Sequence, residues 1–282
     1  MSAYIFPGQG SQEKGMGQDL FHKFPEMTAE ADEILGYSIE TLCLNDPHQQ
    51  LNQTQFTQPA LYVMNALSYR DRLRTQVKPP NFLIGHSLGE YNALLAAEVF
   101  DFATGLKLVK KRGELMSEAA NGAMAAIIGL KADAILSILE KNDFKKVAIA
   151  NYNSHTQIVI SGERNEVAKA QVLCEQAAAM MVVPLKVSGA FHSPLMENAQ
   201  NAFEDFLNQY QFALPTMPVI SNVTAKPYRV NEIKKTLAQQ ISNPVRWTES
   251  IEYLMSQGVA NFEEIGPGKV LTGLIRRIQS GK

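Results

Sequence analysis

Cysteine is nearly missing from this chain. Cys43 and Cys174 are the only two in 282 residues, and their separation fits no disulfide framework and no metal or redox spacing. They read as reduced, buried thiols of a cytoplasmic protein, and no metal site is expected. A surplus of one charge is missing too: 26 basic against 28 acidic residues leave a formal net charge of −2, which argues against bulk nucleic-acid binding. The short clusters Lys110-Lys111-Arg112 and Arg276-Arg277 lie in helix-like segments and read as solvated faces, Arg112 excepted. No run approaches about 18 consecutive apolar residues, so no membrane span is expected. The opening Met1-Ser2-Ala3-Tyr4-Ile5-Phe6 has no basic region ahead of a long apolar stretch, and no secretory signal is read there. Nucleotide-binding loops are absent as well. Gly8-Gln9-Gly10-Ser11-Gln12-Glu13-Lys14 lacks the glycine spacing of a dinucleotide turn and the Gly-Lys-Ser/Thr of a P-loop, and Gly266-Pro267-Gly268-Lys269-Val270 matches neither.

What the chain has is a sizeable apolar content, 45%, enough for one large domain or a large one carrying a smaller one. It also has Gly85-His86-Ser87-Leu88-Gly89. This stretch follows the apolar Asn81-Phe82-Leu83-Ile84 and precedes a helix-like run from Glu90 to Ala97. Strand, Gly-x-Ser-x-Gly, helix is the context of a nucleophile elbow. Glycines on both sides of the serine tolerate a sharp turn and close backbone approach. Ser87 would stand beside backbone amides at a helix N-terminus, where an acyl-transfer oxyanion is stabilised.

Periodicity organises the rest. Residues 2–6 form a strand, helical patterns follow at about 17–36 and 58–74 (the latter opening after Gln58-Pro59), and an amphipathic helix covers about 101–120. Strand, helix, strand, strand, helix, strand then occupy roughly 123–187, the split arrangement of a ferredoxin-like unit. Helices near 194–210, 230–242, 246–257 and from 270, with strands at 218–222 and 262–265, complete the chain. The expectation is an α/β protein, with a large domain of residues 1–123 and 189–282 and an inserted α+β subdomain of residues 124–188. Clefts between such units are common ligand sites.

A serine hydroxyl needs a base within hydrogen-bond reach, and the chain has five histidines. His22 and His48 sit in polar surroundings and read as surface residues. His86 neighbours the serine and points away from it, and His155 lies in a polar turn. His192 falls in a small-residue loop directly after the last strand of the insert, where the chain re-enters the large domain. Spacing leaves it either the base or a packed loop residue. No acidic triad member stands out, since Asp101 and Asp133 read as helix caps; a backbone carbonyl is the other way to fix the imidazole. Arg112 lies on a helix face with Val109, Leu115 and Met116, where a lone cation is costly. It is either paired with an internal acid such as Glu90 or Glu114, or a bidentate clamp for a substrate carboxylate. Gln9 either supplies a polar contact or shapes a turn.

Together these segments resemble the malonyl-CoA:acyl carrier protein transacylases over nearly the whole chain. The resemblance rests on Phe-Pro-Gly-Gln-Gly-Ser-Gln (6–12), Thr-Gln-Pro-Ala-Leu (57–61), Gly-His-Ser-Leu-Gly-Glu-Tyr (85–91) and Lys-Arg-Gly-Glu-Leu-Met (111–116). It continues through Gly-Ala-Met-Ala-Ala-Ile-Ile-Gly (122–129), Ala-Phe-His-Ser (190–193), Asn-Pro-Val-Arg-Trp (243–247) and the Glu-Ile-Gly-Pro-Gly-Lys segment (264–269). The wording of 61–69 and 188–193 is similar to free-standing, trans-acting acyltransferases of polyketide synthases. The resemblance implies an α/β-hydrolase-like large domain with a ferredoxin-like insert. It implies Ser87 as the acylated residue, His192 as its base, and the Gln9 and Leu88 amides as an oxyanion hole. Arg112 becomes the malonate clamp, and the Gln240 carbonyl orients the histidine. Phe191, next to the base, is expected to crowd an α-methyl branch. Malonyl-CoA enters as substrate, with no cofactor, and a phosphopantetheinylated acyl carrier protein as partner; a cytoplasmic monomer is expected. Glu98 departs from the family, which usually has glycine there. Two readings compete: an acyl hydrolase that clears carrier proteins, which gains by lacking the arginine, and a non-catalytic carrier-protein docking module, which has no need of Ser87, His192 and Arg112 together.

Overall fold

The computed structural model describes residues 1–75, 78–119, 121–187 and 189–281; Ser188, where the smaller unit was expected to end, and Lys282 lie outside them. Among the described residues, eight strands form two sheets. The first is parallel and ordered β7-β2-β1-β8, from β1 (Ser2–Phe6), β2 (Phe82–Gly85), β7 (Val219–Ile220) and β8 (Asn261–Glu264). Its register aligns Phe6 with Gly85 and Ile5 with Glu264. Along β1, Tyr4 and Phe6 face one apolar cluster with Tyr62, Met64 and Leu88, while Ala3 and Ile5 face another with Trp247, Ile251 and Leu274. A parallel sheet covered on both faces is the α/β signature.

The second sheet is antiparallel, ordered β4-β5-β3-β6, from β3 (Gly122–Ile128), β4 (Val147–Ser154), β5 (Gln157–Glu163) and β6 (Met181–Pro184). Helices Ala132–Lys141 and Arg164–Gln176 cover one face around Ile135, Ile149 and Val167. This is the expected split β-α-β-β-α-β unit. Its other face joins the main core through Met124, Ala126 and Val159. One strand also ties to the larger sheet's side of the molecule: Val245 N–H donates to the Ala150 carbonyl at 2.8 Å, and Tyr152 N–H to the Val245 carbonyl at 3.0 Å.

Several boundaries differ from the periodicity. The helix expected to open after Gln58-Pro59 runs Thr54–Thr75 with Pro59 inside it; so near the N-terminus the ring costs a single hydrogen bond, that to the Gln55 carbonyl. The 17–36 segment is two helices, Gln18–Lys23 and Pro25–Leu35, broken where Pro25 starts afresh. Asp101 caps its helix by accepting from Thr104 N–H, but Asp133 does not: the cap position is Lys131. The strand read at 218–222 shrinks to Val219–Ile220. A short helix, Ile39–Leu44, was not anticipated.

At Glu98 the backbone has φ 60°, which accounts for the glycine usual in the family at this position. An L-residue in that region is strained by about 1–2 kcal/mol, partly offset by the greater chain entropy that glycine loses on folding. The Glu98 side chain is exposed, and the backbone holds the turn, with Glu98 N–H donating to the Leu95 carbonyl and Val99 N–H to the Leu94 carbonyl, each at 3.0 Å, bonds that glycine keeps. Glu98→Gly is expected to raise stability by about 0.5–1 kcal/mol, read as a higher midpoint in thermal or urea unfolding.

Candidate active site

The site begins with a steric constraint. Between the end of β2 and the helix Gly89–Ala96 the chain reverses in three residues, and a Cβ on Gly85 would lie 1.8 Å from the Gly89 carbonyl carbon. On Gly89 it would meet the Phe6 carbonyl oxygen at 2.0 Å, and on Gly8 the His86 oxygen at 2.3 Å. Only glycine fits these approaches, and they press the loop after β1 against the elbow. Ser87 takes φ 50°, the strained backbone of a nucleophile elbow. Two side chains hold it: Ser87 N–H donates to Asn222 Oδ1 at 2.7 Å, and Gln240 Nε2 donates to the Ser87 carbonyl at 2.8 Å.

His192, itself at φ 57°, places Nε2 2.8 Å from Ser87 Oγ. Its Nδ1 lies 2.8 Å from the Gln240 carbonyl and 3.2 Å from the Asn243 carbonyl. Carbonyls only accept, so Nδ1 carries the proton and Nε2 is left to accept from the serine. Carbonyl orientation of the imidazole thus has a physical basis here, and it explains why no carboxylate stood out in the sequence. Burial, with the neighbouring Arg112 charge, pushes the imidazole down to about 3.

Arg112 is 1% exposed and forms no ion pair among the described residues; neither Glu90 nor Glu114 is its direct partner. Nη1 donates to Gln58 Oε1 at 2.6 Å, while Nη2 donates to Gln240 Oε1 at 2.9 Å and to Ser87 Oγ at 3.1 Å. Its Nε has no hydrogen-bond partner. A buried guanidinium that meets only neutral oxygens and the Tyr91 ring face, 5.6 Å from its centroid, keeps its charge uncompensated by any direct carboxylate contact.

Glu90 is fully buried. It accepts from Gln240 Nε2 at 2.7 Å, from Asn222 N–H at 3.1 Å and from the Tyr228 hydroxyl. Burial pushes its carboxyl up to about 7, against the lowering effect of those donors.

A pocket of about 90 Å³ is lined by Ser87 together with Gln9, Leu88, Met124, Val187, Phe191 and His192. Gln9 and Leu88 follow β1 and the elbow, so their amides sit at the carboxyl edge of the sheet, where α/β folds bind ligands; the Gln9 side chain donates to Thr54 Oγ1 at 3.4 Å. The structure therefore brings together all seven residues singled out by sequence. His86 instead meets Asn153 Oδ1 at 2.8 Å, His155 pairs with Glu252, and His22 and His48 are exposed. Gln58, Asn222 and Tyr228 escaped the sequence reading. Gln58 directly precedes Pro59, where its polarity reads as a helix start; nothing local marks the other two.

An activated serine at the carboxyl edge of a parallel sheet, with a guanidinium reaching its Oγ, defines a serine–histidine acyl-transfer enzyme. The chain belongs to the acyl transferase domain family, whose model matches residues 3–280, and within it to the malonyl-CoA:acyl carrier protein transacylases. It is 57% identical over 280 residues to the polyketide biosynthesis malonyl CoA-acyl carrier protein transacylase PksC of Bacillus subtilis, with 99% of this chain and 97% of that one covered. A crystal structure of the malonyl CoA-acyl carrier protein transacylase from Burkholderia pseudomallei superposes with TM-score 0.95 at 49% identity, covering 100% and 99% of the two chains. A malonyl-transacylase solved in complex with its type II polyketide-synthase acyl-carrier protein matches at TM-score 0.95 and 41% identity, over 99% and 93%.

With the imidazole held near 3, His192 stays neutral across the physiological range, its Nε2 free to accept from Ser87 Oγ. Single-turnover acyl loading of Ser87 is therefore expected to show no acid inflection near the ordinary histidine value of 6.5; an inflection there that disappears in no variant but those of His192 would contradict the buried, carbonyl-held geometry.

Proposed function

We propose that this protein moves a malonyl group from malonyl-CoA to the phosphopantetheine thiol of an acyl carrier protein, through an ester on Ser87. The observation that carries this reading is the double engagement of Ser87 Oγ, at 2.8 Å from His192 Nε2 and 3.1 Å from Arg112 Nη2. His192 takes the Oγ proton as Oγ attacks the thioester carbonyl. The oxyanion forms against the Gln9 and Leu88 amides, a role worth about 10²–10³ in rate per donor. Collapse breaks the C–S bond, and the proton on Nε2 goes to the departing CoA thiolate. The carrier thiol then gives its proton to His192, its sulfur attacks the seryl ester, and Ser87 leaves with that proton. These steps balance with the chain's own side chains.

Arg112 turns its contact with Ser87 Oγ over to the malonyl carboxylate while Gln58 and Gln240 keep hold of the guanidinium, which anchors the acyl group and discriminates against acetyl. A narrow pocket limits water. The polyketide assignment of the carrier is supported by PksC at 57% identity. A division at residues 1–123 and 189–282 against 124–188 is supported by separate apolar clusters beneath the two sheets, and the pocket lies between those units. No helix among the described residues is long and apolar enough to cross a membrane, in keeping with action on soluble substrates in the cytoplasm.

Intact-mass analysis after incubation with malonyl-CoA is expected to find one malonyl adduct, absent in Ser87→Ala; an adduct of equal yield in that variant rejects the mechanism. Arg112→Ala is expected to lose about 2–4 kcal/mol of malonyl-over-acetyl preference, the consequence of stranding a charged partner, and an unchanged ratio rejects the clamp. Phe191 is 4% exposed beside His192, so methylmalonyl-CoA is expected to load poorly; comparable loading of the two acyl groups rejects that crowding.

A further inference from the structure

Two side chains hold the Ser87 backbone, Asn222 at its N–H and Gln240 at its carbonyl, and both converge on the same atom. Gln240 Nε2 donates to Glu90 Oε2 at 2.7 Å, and Asn222 N–H donates to it at 3.1 Å. Asn222 Nδ2 meanwhile donates to the Gly85 carbonyl at 2.7 Å. The second carboxylate oxygen is capped by the Tyr228 hydroxyl. Glu90, Asn222 and Gln240 are each 0% exposed. The Glu90 carboxyl bonds neither Ser87 Oγ nor Arg112, yet a single residue, Gln240, links it to the Ser87 carbonyl and to Arg112 Nη2.

We propose that Glu90 is a positioning residue that fixes the malonyl-binding guanidinium relative to the serine hydroxyl, acting through Gln240 and Asn222. The argument is donor and acceptor arithmetic. Gln240 has two amide hydrogens and one amide oxygen. Ser87 O and Glu90 Oε2 occupy the hydrogens, which leaves Oε1 facing Arg112 Nη2 at 2.9 Å. Withdraw the carboxylate, and the amide retains a single anchor, so Oε1 no longer holds Nη2 at a fixed height above Ser87. Burial leaves no water to substitute for the lost acceptor. The groups packed around Glu90 are Gln240, Asn222, Tyr228 and, through space, Tyr91 and Arg112. A malonyl group needs the guanidinium aimed; an acetyl group, which has no carboxylate, does not. Losing the aim therefore penalises one acyl group and spares the other.

This inference rests on the malonyl-transfer reading, and one set of measurements separates the two. Loading of Ser87 from malonyl-CoA and acetyl-CoA is compared for the parental protein, Glu90→Asp, which draws the carboxylate back by one methylene, and Glu90→Gln, which keeps an acceptor oxygen in place. The expected result is a fall of about tenfold in the malonyl-to-acetyl ratio of kcat/KM for Glu90→Asp, a loss equivalent to about 1.4 kcal/mol, carried mainly by the malonyl KM. Glu90→Gln is expected to restore the ratio to within about twofold, the tolerance of an isosteric hydrogen-bond replacement. A parental ratio in Glu90→Asp, even at reduced overall rate, overturns the inference, because a merely structural role lowers both substrates alike. So does a Glu90→Gln ratio as low as that of Glu90→Asp. If Glu90→Asp does not fold, Tyr228→Phe, which uncaps Oε1, is read in its place with the same direction expected and the same result overturning it. A parental protein that forms no malonyl adduct on Ser87 instead rejects the function on which the inference depends.

Discussion

The site depends on how closely two backbones can approach. Where β2 turns into its helix, a side chain on Gly85 would interpenetrate the Gly89 carbonyl, and one on Gly89 the Phe6 carbonyl. These approaches force Ser87 into the left-handed region at φ 50° and lift its hydroxyl off the sheet edge. The same compression lays the loop after β1 across the elbow, where a Cβ on Gly8 would meet the His86 carbonyl oxygen at 2.3 Å. Strain of this kind persists only where the surroundings over-determine it. Here the Asn222 and Gln240 side chains pin the peptide on both flanks.

Around that turn, charge is handled by neutral dipoles. His192 is steered by the carbonyls of Gln240 and Asn243, and Arg112 by the amide oxygens of Gln58 and Gln240. Among the described residues no carboxylate touches either group directly. A carboxylate against Arg112 would form a closed pair and compete with an acidic ligand; neutral acceptors satisfy the guanidinium while leaving its charge available. Burial and the cation together keep the imidazole unprotonated, with Nε2 free to accept the serine proton.

Much of this was legible in the chain. Gly-x-Ser-x-Gly between a strand and a helix specifies its own geometry, because the steric need for glycine is local. His192 was legible as a loop histidine re-entering the large domain, although spacing alone left its role open. The β-α-β-β-α-β order of the smaller sheet followed from periodicity, as each element there is short and amphipathic. What the sequence hid depends on distant pairing. Asn222 sits just past a two-residue strand and reaches Ser87 across 135 positions, and Tyr228 reaches Glu90 across 138. Arg112 was weighed against Glu90 and Glu114 because charge seeks charge; the interposed Gln240 amide was invisible, since a glutamine in a helix advertises nothing. Helix limits near Pro25 and Pro59 went astray because proline's effect depends on which turn it occupies.

The carbonyl-held imidazole has a thermodynamic corollary. In the proposed exchange one thioester is consumed and another formed, so the overall reaction is nearly isoergic and needs no irreversible commitment. Without a full negative charge behind it, the protonated ring gains little extra stability, and departure of either sulfur remains comparably easy. Such a catalyst works as a two-way valve, and the relative sizes of the donor and acceptor pools, rather than the enzyme, decide which way the acyl group flows.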